Sequence, residues 1–281
     1  MTTRGRLAGL VDTALEATVV GGFSRVGPLV RGRLEGWGDP PRMDGRVCVV
    51  TGASGGLGLA ASTGLARLGA SLRLLVRDAA KGEDARRGIV AETGNEDVRC
   101  ELVDVSLRRS VRACAERLLA TGEPVHVLVH NAGVLPPERR ETEEGLELTF
   151  ATNVLGPHLL TRLLRDRLIE SAPARVIFVS SGGMYTHRLD VDDLQSRSGE
   201  FDGRVAYAKS KRAEVVLAER WAEELAGSGV VVHSMHPGWA DTPGIQTSAA
   251  RTSPSASSGR ARTTTSPAQS SHWYSHVVSG P

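Results

Sequence analysis

Short apolar runs alternate with longer helical stretches through most of the chain, and this alternation constrains the fold more than any other feature. Ala-, Leu- and Arg-rich segments of helical length separate the apolar runs. Continuous apolar strands joined through helices imply right-handed crossovers and a parallel sheet covered on both faces. The pattern therefore predicts an α/β fold with a doubly wound parallel sheet. The six runs are residues 46–51, 72–76, 98–103, 125–129, 175–179 and 230–234.

Changes in composition divide the chain into three parts. Residues 1–42 read as a helical arm, with a helix through residues 10–20, and end in a Gly- and Pro-rich linker. This arm either packs on the main domain or lies on a membrane surface as an amphipathic anchor. Residues 43–246 form the predicted domain. Residues 247–281 hold ten Ser, five Thr and three Pro without an acidic residue, and we expect this tail to be disordered.

Charge and cysteine content exclude several classes of protein. Of 34 basic and 32 acidic residues, 25 and 28 fall within residues 43–246, so the positive surplus belongs to the two ends. A nucleic-acid-binding domain needs a basic stripe of its own, and we expect no such partner. Three Cys without CxxC spacing exclude a disulfide scaffold and a zinc ribbon, and the eight His suggest no metal site. No uncharged run reaches about 18 residues; we expect a cytoplasmic protein, with membrane association as the alternative.

A glycine-rich segment, TGASGGLG at residues 51–58, follows the first apolar run directly. Gly52, Gly56 and Gly58 permit a tight turn, close backbone approach to a pyrophosphate, and close packing of a helix on the strand. The helix that follows would present its N-terminal amides to the phosphates. This placement between strand and helix favours a Rossmann-like dinucleotide site, and a plain glycine-rich turn is the alternative.

The segment Tyr207-Ala-Lys-Ser-Lys211 pairs a phenol with an ammonium. Residues four apart share one face of a helix, so the two side chains can act together. A tyrosine ordinarily titrates at about pH 10, and a nearby ammonium favours the phenolate. Neither Tyr185 nor Tyr274 has a Lys four residues later. The pair predicts a general acid/base, and an ordinary surface pair on a helix is the alternative.

The TGxxxGxG spacing and the Tyr207–Lys211 pair, taken with Asp104-Val-Ser106 and Asn131-Ala-Gly133, resemble the short-chain dehydrogenase/reductase family. In that family Asn131 would be part of an NNAG turn, and His130 replaces its first Asn. The motif His236-Pro-Gly-Trp-Ala-Asp-Thr242 resembles the family's PG turn, whose threonine binds the carboxamide. The resemblance implies that the cofactor is bound by Gly52, Ser54, Gly56, Leu57, Gly58, Arg77, Asp104, Val105, Asn131, Ala132, Gly133, Tyr207, Lys211, Pro237, Gly238 and Thr242.

The same resemblance implies a catalytic tetrad. Tyr207 would be the acid/base, and Lys211 would assist it and hold the cofactor ribose. Ser181 would bind the substrate carbonyl, while a strand-end hydroxyl that satisfies the backbone is the alternative there and the favoured interpretation for Ser180. Asn153 would hold a water of a proton relay. The implied activity is hydride transfer between a nicotinamide and a carbonyl or secondary alcohol.

The choice of cofactor depends on the end of the second strand, which reads Val76-Arg77-Asp78. An acidic residue there binds the ribose 2′-hydroxyl of NAD, whereas an Arg accommodates the 2′-phosphate of NADP. Arg77 favours NADP(H), Asp78 is a weaker signal for NAD(H), and a solvated strand-end Arg is the alternative.

The resemblance covers residues 45–247 and is strongest to a subgroup whose substrate is poorly defined. Beyond residue 247 the family's last helices and seventh strand are not recognisable, so we expect that strand to be missing, through a shifted reading frame or a faulty gene model. The alternative function is therefore a cofactor-binding but catalytically impaired protein. The family also commonly pairs through the helix that would carry Tyr207, which makes a homodimer a further expectation.

Overall fold

The computed structural model describes residues 32–33 and 38–238. The predicted helix at residues 10–20, the tail at 247–281 and the missing seventh strand all lie outside the described residues. Of the arm, only residues 32–33 and 38–42 are described. No helix in the described part is long and apolar enough to cross a membrane.

The described residues form one α/β unit. Its six strands are β1 (Val47–Thr51), β2 (Ser71–Val76), β3 (Val98–Leu102), β4 (Val127–His130), β5 (Ala174–Val179) and β6 (Val230–Met235). Its helices are α1 (Gly56–Arg67), α2 (Ala79–Thr93), α3 (Arg108–Ala120), α4 (Leu148–Phe150), α5 (Gly156–Glu170) and α6 (Gly203–Glu224). A π-helical turn (Ala151–Leu155) joins α4 to α5, and a 3₁₀ segment (Gly182–Tyr185) follows β5.

All six strands are parallel and follow the order β3-β2-β1-β4-β5-β6. The doubly wound parallel sheet predicted from the sequence is thus confirmed. The order reverses between β1 and β4, and in such sheets ligands bind at this switch point, beyond the carboxyl ends of the strands. β4 begins two residues later than its apolar run, since the Val125 amide donates to Ser171 Oγ at 2.9 Å instead of entering the sheet.

Two apolar clusters cover the two faces of the sheet. α1 and α2 contribute Leu65 and Ile89 to one cluster. On the other face, α5 contributes Leu164 and α6 contributes Trp221. β1 is fully buried along its length, as expected for a central parallel strand that has helices on both sides. The core thereby fixes the carboxyl edge of the sheet, where the candidate residues lie.

Candidate active site

The loop between β1 and α1 is tied to the end of β4. Thr51 Oγ1 accepts hydrogen bonds from the amides of Asn131 and Ala132 at 2.9 and 3.0 Å. The side-chain amide of Asn131 donates to the carbonyl oxygens of Thr51 and Gly52 at 3.0 and 3.4 Å. A Cβ at Gly58 would lie 2.3 Å from the Gly52 carbonyl oxygen, so a larger residue would push α1 off the loop. The glycine-rich segment is therefore a constrained loop at the switch point.

The N-terminus of α1 is open at this loop. Gly55 precedes the helix without a side-chain cap, and a Cβ there would meet no atom within 4 Å. Gly56 has a φ of +54°, a region that favours glycine. Ser54 is half-buried, and Leu57 packs against the core beneath. Uncapped amides facing open space suit the phosphates of a dinucleotide, so these residues fit a nicotinamide cofactor.

Arg77 and Asp78 differ in what their side chains do. Arg77 is exposed and makes no hydrogen bond or ion pair within residues 38–238. Asp78 is the N-cap of α2, and its carboxylate accepts hydrogen bonds from the amides of Ala80 and Lys81 at 3.0 and 3.1 Å. Both bonds go to Oδ1, so the helix fixes the orientation of this side chain while Oδ2 stays exposed.

The turn after β3 holds Asp104 in place. Its carboxylate accepts hydrogen bonds from the amide and hydroxyl of Ser106 at 2.9 and 2.6 Å. The backbone of Val105 lies against α5, since a Cβ at Gly156 would fall 2.2 Å from the Val105 carbonyl oxygen. Both residues lie at the carboxyl edge of the sheet, on the β3 side of the switch point.

Asn153 lies fully buried in the π-helical turn. Its Oδ1 accepts from the Val134 amide at 2.9 Å, and its Nδ2 donates to Ser210 Oγ at 2.9 Å and to the Val134 carbonyl at 3.2 Å. Ser210 Oγ in turn donates to the Tyr207 carbonyl at 2.7 Å. These contacts connect the π-helical turn to α6, so the Asn153 side chain fixes the helix that carries Tyr207. π-helical turns of this kind are frequent at functional sites.

Tyr207 and Lys211 lie one turn apart on α6. Lys211 Nζ lies 5.6 Å from the centroid of the Tyr207 ring. The ammonium donates to the Val179 carbonyl at 2.8 Å and to Glu214 Oε1 at 2.7 Å. It also lies close to the loop after β4, because a Cβ at Gly133 would be 3.4 Å from it. The Tyr207 hydroxyl makes no hydrogen bond within the described residues, so it is open to a substrate.

The two serines after β5 have different environments. Ser180 is buried, and its hydroxyl donates to the Lys211 carbonyl at 2.8 Å, which is a packing role. Ser181 is half-buried and caps the 3₁₀ segment only through a 3.4 Å contact with the Gly183 amide. A Cβ at Gly183 would fall 3.8 Å from Ser181 Oγ and 3.9 Å from Ala208 Cα, so the segment packs on α6 beside Tyr207. The Ser181 hydroxyl proton is available to a ligand.

The turn after β6 packs on this segment from the other side. A Cβ at Gly182 would lie 2.7 Å from His236 Nε2. His236 Nδ1 accepts from the Gly238 amide at 2.8 Å, and Gly238 has a φ of +78°. Pro237 and Gly238 thus reach the carboxyl edge next to Ser181. Thr242 lies outside the described residues.

His130 is a packing residue. Its ring is buried, with Nε2 2.7 Å from Thr161 Oγ1 and its centroid 4.8 Å from that of Phe178. Burial lowers the pKa of His130 to about 3. His126 also packs, since its Nδ1 accepts from the Val47 amide at 3.0 Å. In the described part of the chain, no group of three or more His, Cys, Asp or Glu side chains is arranged to hold a metal ion.

Three features of this corner were not predicted from the sequence: the π-helical turn, the link through Ser210, and the buried Glu214. A carboxylate three residues after Lys211 on a helix is a recognisable pairing signal. It could have identified Glu214, although not its burial. The π-helical turn has no clear signal in residues 151–155, because the sequence ATNVL suits an ordinary helix equally well.

Several known proteins are similar to this chain in sequence and in structure. The family model for short chain dehydrogenase matches residues 46–191. Human dehydrogenase/reductase SDR family member 12 is 42% identical over 73% of this chain and 64% of its own length, so the chain spans just under two thirds of that relative. Mouse retinol dehydrogenase 13 is 36% identical over 83% of this chain and 69% of its own length.

A metagenomic short-chain oxidoreductase, whose crystal structure is a complex with NADP, has a similar structure. It is 30% identical with a TM-score of 0.58, and the match covers 70% of this chain and 84% of that one. The sheet order fits this family match. The chain therefore belongs to the short-chain dehydrogenase/reductase family of oxidoreductases.

Proposed function

We propose that this chain is an NADP(H)-dependent oxidoreductase that interconverts a carbonyl compound and a secondary alcohol. The observation that carries the proposal is the arrangement at α6. There the open Tyr207 hydroxyl stands beside the Lys211 ammonium, which is 5.6 Å from the ring centroid. A phenol next to a fixed cation and the switch-point cleft is suited to proton exchange with a substrate oxygen.

The glycine-rich loop, the open N-terminus of α1 and the turns at Asp104 and Asn131 would hold the cofactor. When bound, NADPH supplies a hydride to the carbonyl carbon. Ser181 donates a hydrogen bond to the carbonyl oxygen and orients it, and Tyr207 delivers the proton that this oxygen takes up. Lys211 stabilises the phenolate that Tyr207 leaves behind. Asn153 keeps α6 in register with the π-helical turn, and a water beside it would return the proton to Tyr207.

The experiment that tests this function is NADPH oxidation against a panel of aldehydes and ketones. Retinaldehyde belongs in the panel, since one relative is a retinol dehydrogenase. We expect turnover of at least one compound and a loss of about 10²- to 10⁴-fold in kcat for Tyr207→Phe. Tyr185→Phe, an exposed tyrosine, is the matched control and should retain activity. Turnover that survives Tyr207→Phe would contradict the assigned acid/base.

The preference for NADP(H) is supported by the difference between Arg77 and Asp78. Arg77 is exposed without a partner in the described range, and the Asp78 carboxylate is engaged as a helix cap. Removing a charged hydrogen-bond partner costs about 1.5–3 kcal/mol. Arg77→Ala should therefore weaken NADPH binding roughly 10- to 100-fold and leave NADH binding unchanged. The control is Arg87→Ala, an exposed arginine on α2 paired with Asp84, and equal losses for both cofactors would refute the preference.

The alternative is a protein that binds cofactor but is catalytically impaired. NADPH binding without turnover on any compound of the panel would support it. We also propose that residues 43–246 are the domain and that residues 1–42 are an arm that packs on it, with contact to a membrane surface as the alternative. Flotation of the full chain with liposomes, compared with a chain that starts at Met43, tests that contact. A homodimer is proposed as well, and light scattering measures it directly.

A further inference from the structure

Lys211 is buried more deeply than its proposed role alone would require. Its side chain is only 4% exposed, and removing an ammonium from water disfavours its charged form. The Val179 carbonyl accepts one of its hydrogen bonds, but one carbonyl dipole offsets only part of the cost of burying a charge. A charged Lys211 at this position needs a negative partner.

Glu214 is that partner. Its side chain is 3% exposed, and Oε1 lies 2.7 Å from Lys211 Nζ. The other oxygen, Oε2, is buried without a hydrogen-bond partner in the described residues. Within residues 38–238, the single polar contact of the Glu214 side chain is therefore the one with Lys211. Burial raises the pKa of Glu214 to about 7, and Lys211 opposes this effect.

The surroundings of the pair are otherwise neutral. Lys211 is the one charged group that acts on Glu214 within the described range. β5 contributes the Val179 carbonyl, which accepts from Lys211, and α6 contributes the titratable phenol of Tyr207, whose ring centroid lies 5.6 Å from Lys211 Nζ. Among the described residues no second carboxylate pairs with Lys211, so Glu214 is its counterion there.

We propose that Glu214 is a positioning residue that keeps Lys211 protonated and holds its ammonium beside Tyr207. The ion pair leaves the third N–H of Lys211 for the cofactor ribose or the phenolate. This inference rests on the proposed function for its consequence at Tyr207. The ion pair itself does not depend on any substrate, so it can be tested without turnover.

The direct test uses the low lysine content of the chain. Only Lys81, Lys209 and Lys211 occur, so a chain labelled with ¹³C at the lysine ε-carbon gives three NMR signals, and Lys211→Met assigns the third. We expect Lys211 in Glu214→Gln to lose its proton at a pH about one unit or more below that of the unsubstituted chain. Glu219→Gln, the same change at an exposed position of α6, is the control and should have no effect.

The unsubstituted chain supplies a second measurement that requires no variant to fold. The Lys211 signal should show a small inflection where Glu214 takes up its proton, and burial raises the pKa of that carboxyl above its ordinary value. Unchanged titration of Lys211 in Glu214→Gln would overturn the proposal. Should Glu214→Gln fail to fold, the absence of an inflection in the unsubstituted chain would overturn it instead.

Activity supplies a readout that a merely structural role would not move. In Glu214→Gln, kcat should fall roughly tenfold at alkaline pH, equivalent to about one pH unit of Lys211 titration, and approach that of the unsubstituted chain at acidic pH. The KM for the carbonyl should stay constant. An equal loss at every pH would contradict the proposal. If the unsubstituted chain has no turnover, the proposed function fails, while the NMR titration still decides the role of Glu214.

Discussion

Two buried cations in this molecule, Arg73 and Lys211, differ in the number and in the exposure of their partners. Arg73, on β2, donates to both Glu123 oxygens at 2.7 Å and to Asp97 and the Leu72 carbonyl at 2.9 Å. Its partners keep access to water, with side chains 28% and 44% exposed. Lys211 has one carboxylate partner, and that partner is as deeply buried as Lys211 itself.

The pKa values of the carboxylates that pair with these cations are accordingly shifted in opposite directions. Hydrogen bonds from Arg73 lower the pKa of Glu123, whereas burial raises the pKa of Glu214. A cation with several hydrated partners is firmly charged and suits a structural joint between strands. Lys211, whose carboxylate partner is itself buried, stands 5.6 Å from the centroid of the Tyr207 ring, which suits a reacting site. Substitutions at Lys211 and at Arg73 test this difference between a reacting site and a structural one.

The largest effect is expected from Lys211→Met. Turnover should fall about 10²- to 10⁴-fold, since the phenolate of Tyr207 loses its stabilising charge. Stability should change little at mildly acidic pH, because Glu214 can take up a proton and stay buried as a neutral acid. Steady-state kinetics and urea unfolding measure the two effects. If Lys211→Met lost as much stability as Arg73→Met, the proposed difference between the two cations would be wrong.

Arg73→Met should have the converse effect. Loss of hydrogen bonds to a charged group costs about 1.5–3 kcal/mol, and the midpoint of urea unfolding should fall accordingly. The KM for the carbonyl substrate should not change, as Arg73 lies away from the carboxyl edge. The control is Arg87→Met, an exposed i,i+3 pair with Asp84, whose expected cost is at most about 0.5 kcal/mol.

His130 extends the comparison to a buried titratable group without a counterion. Its pKa is lowered to about 3 by burial, so the native state takes up its proton later than the unfolded chain does. Stability should therefore fall as the pH drops from about 6.5 toward 3, by up to about 4 kcal/mol from this residue. His130→Asn should flatten that part of the stability curve. An unchanged slope would contradict the assignment, and His187→Asn, near the surface, is the control.

The smallest effect is expected at the solvent-facing carboxylate of Asp78. Loss of this N-cap in Asp78→Ala should cost about 1 kcal/mol of stability, measured by thermal unfolding. The preference between NADPH and NADH should remain as it was, since the carboxylate is engaged by α2. Asp84→Ala, within the same helix, is the control. A gain in NADPH preference would show that Asp78 also acts on the cofactor.

The sequence predicted the six strands and the glycine-rich loop because each depends on a local pattern. β1 reads as apolar because it is covered on both faces, and the glycines follow from the close approach of Gly58 to Gly52. Tyr207 and Lys211 were predictable for the same reason, since helix spacing alone places them together. Local spacing also suggests a Glu214–Lys211 contact, but the burial of this pair depends on segments distant in sequence, such as β5, whose Val179 carbonyl accepts from Lys211.

The environment of Asn153 was equally out of reach. Its bonds to Val134 and Ser210 span 19 and 57 residues, and no period in the sequence encodes them. The contrast between Ser180 and Ser181 likewise follows from which hydroxyl faces the Lys211 backbone. Adjacent residues of the same type are distinguished only by the fold.

The π-helical turn also sets the direction of the α5 side chains relative to those of α4. One residue more per turn offsets every side chain after the turn by about 100° relative to an uninterrupted helix. Glu147, which caps α4 through the amides of Thr149 and Phe150, fixes the orientation of the helix before the turn. Gly156, which packs closely on Val105, fixes its orientation after the turn. Deleting a single residue between Glu147 and Gly156 would restore a regular helix but force one of them out of register, so the length of this segment is constrained as well as its residue Asn153.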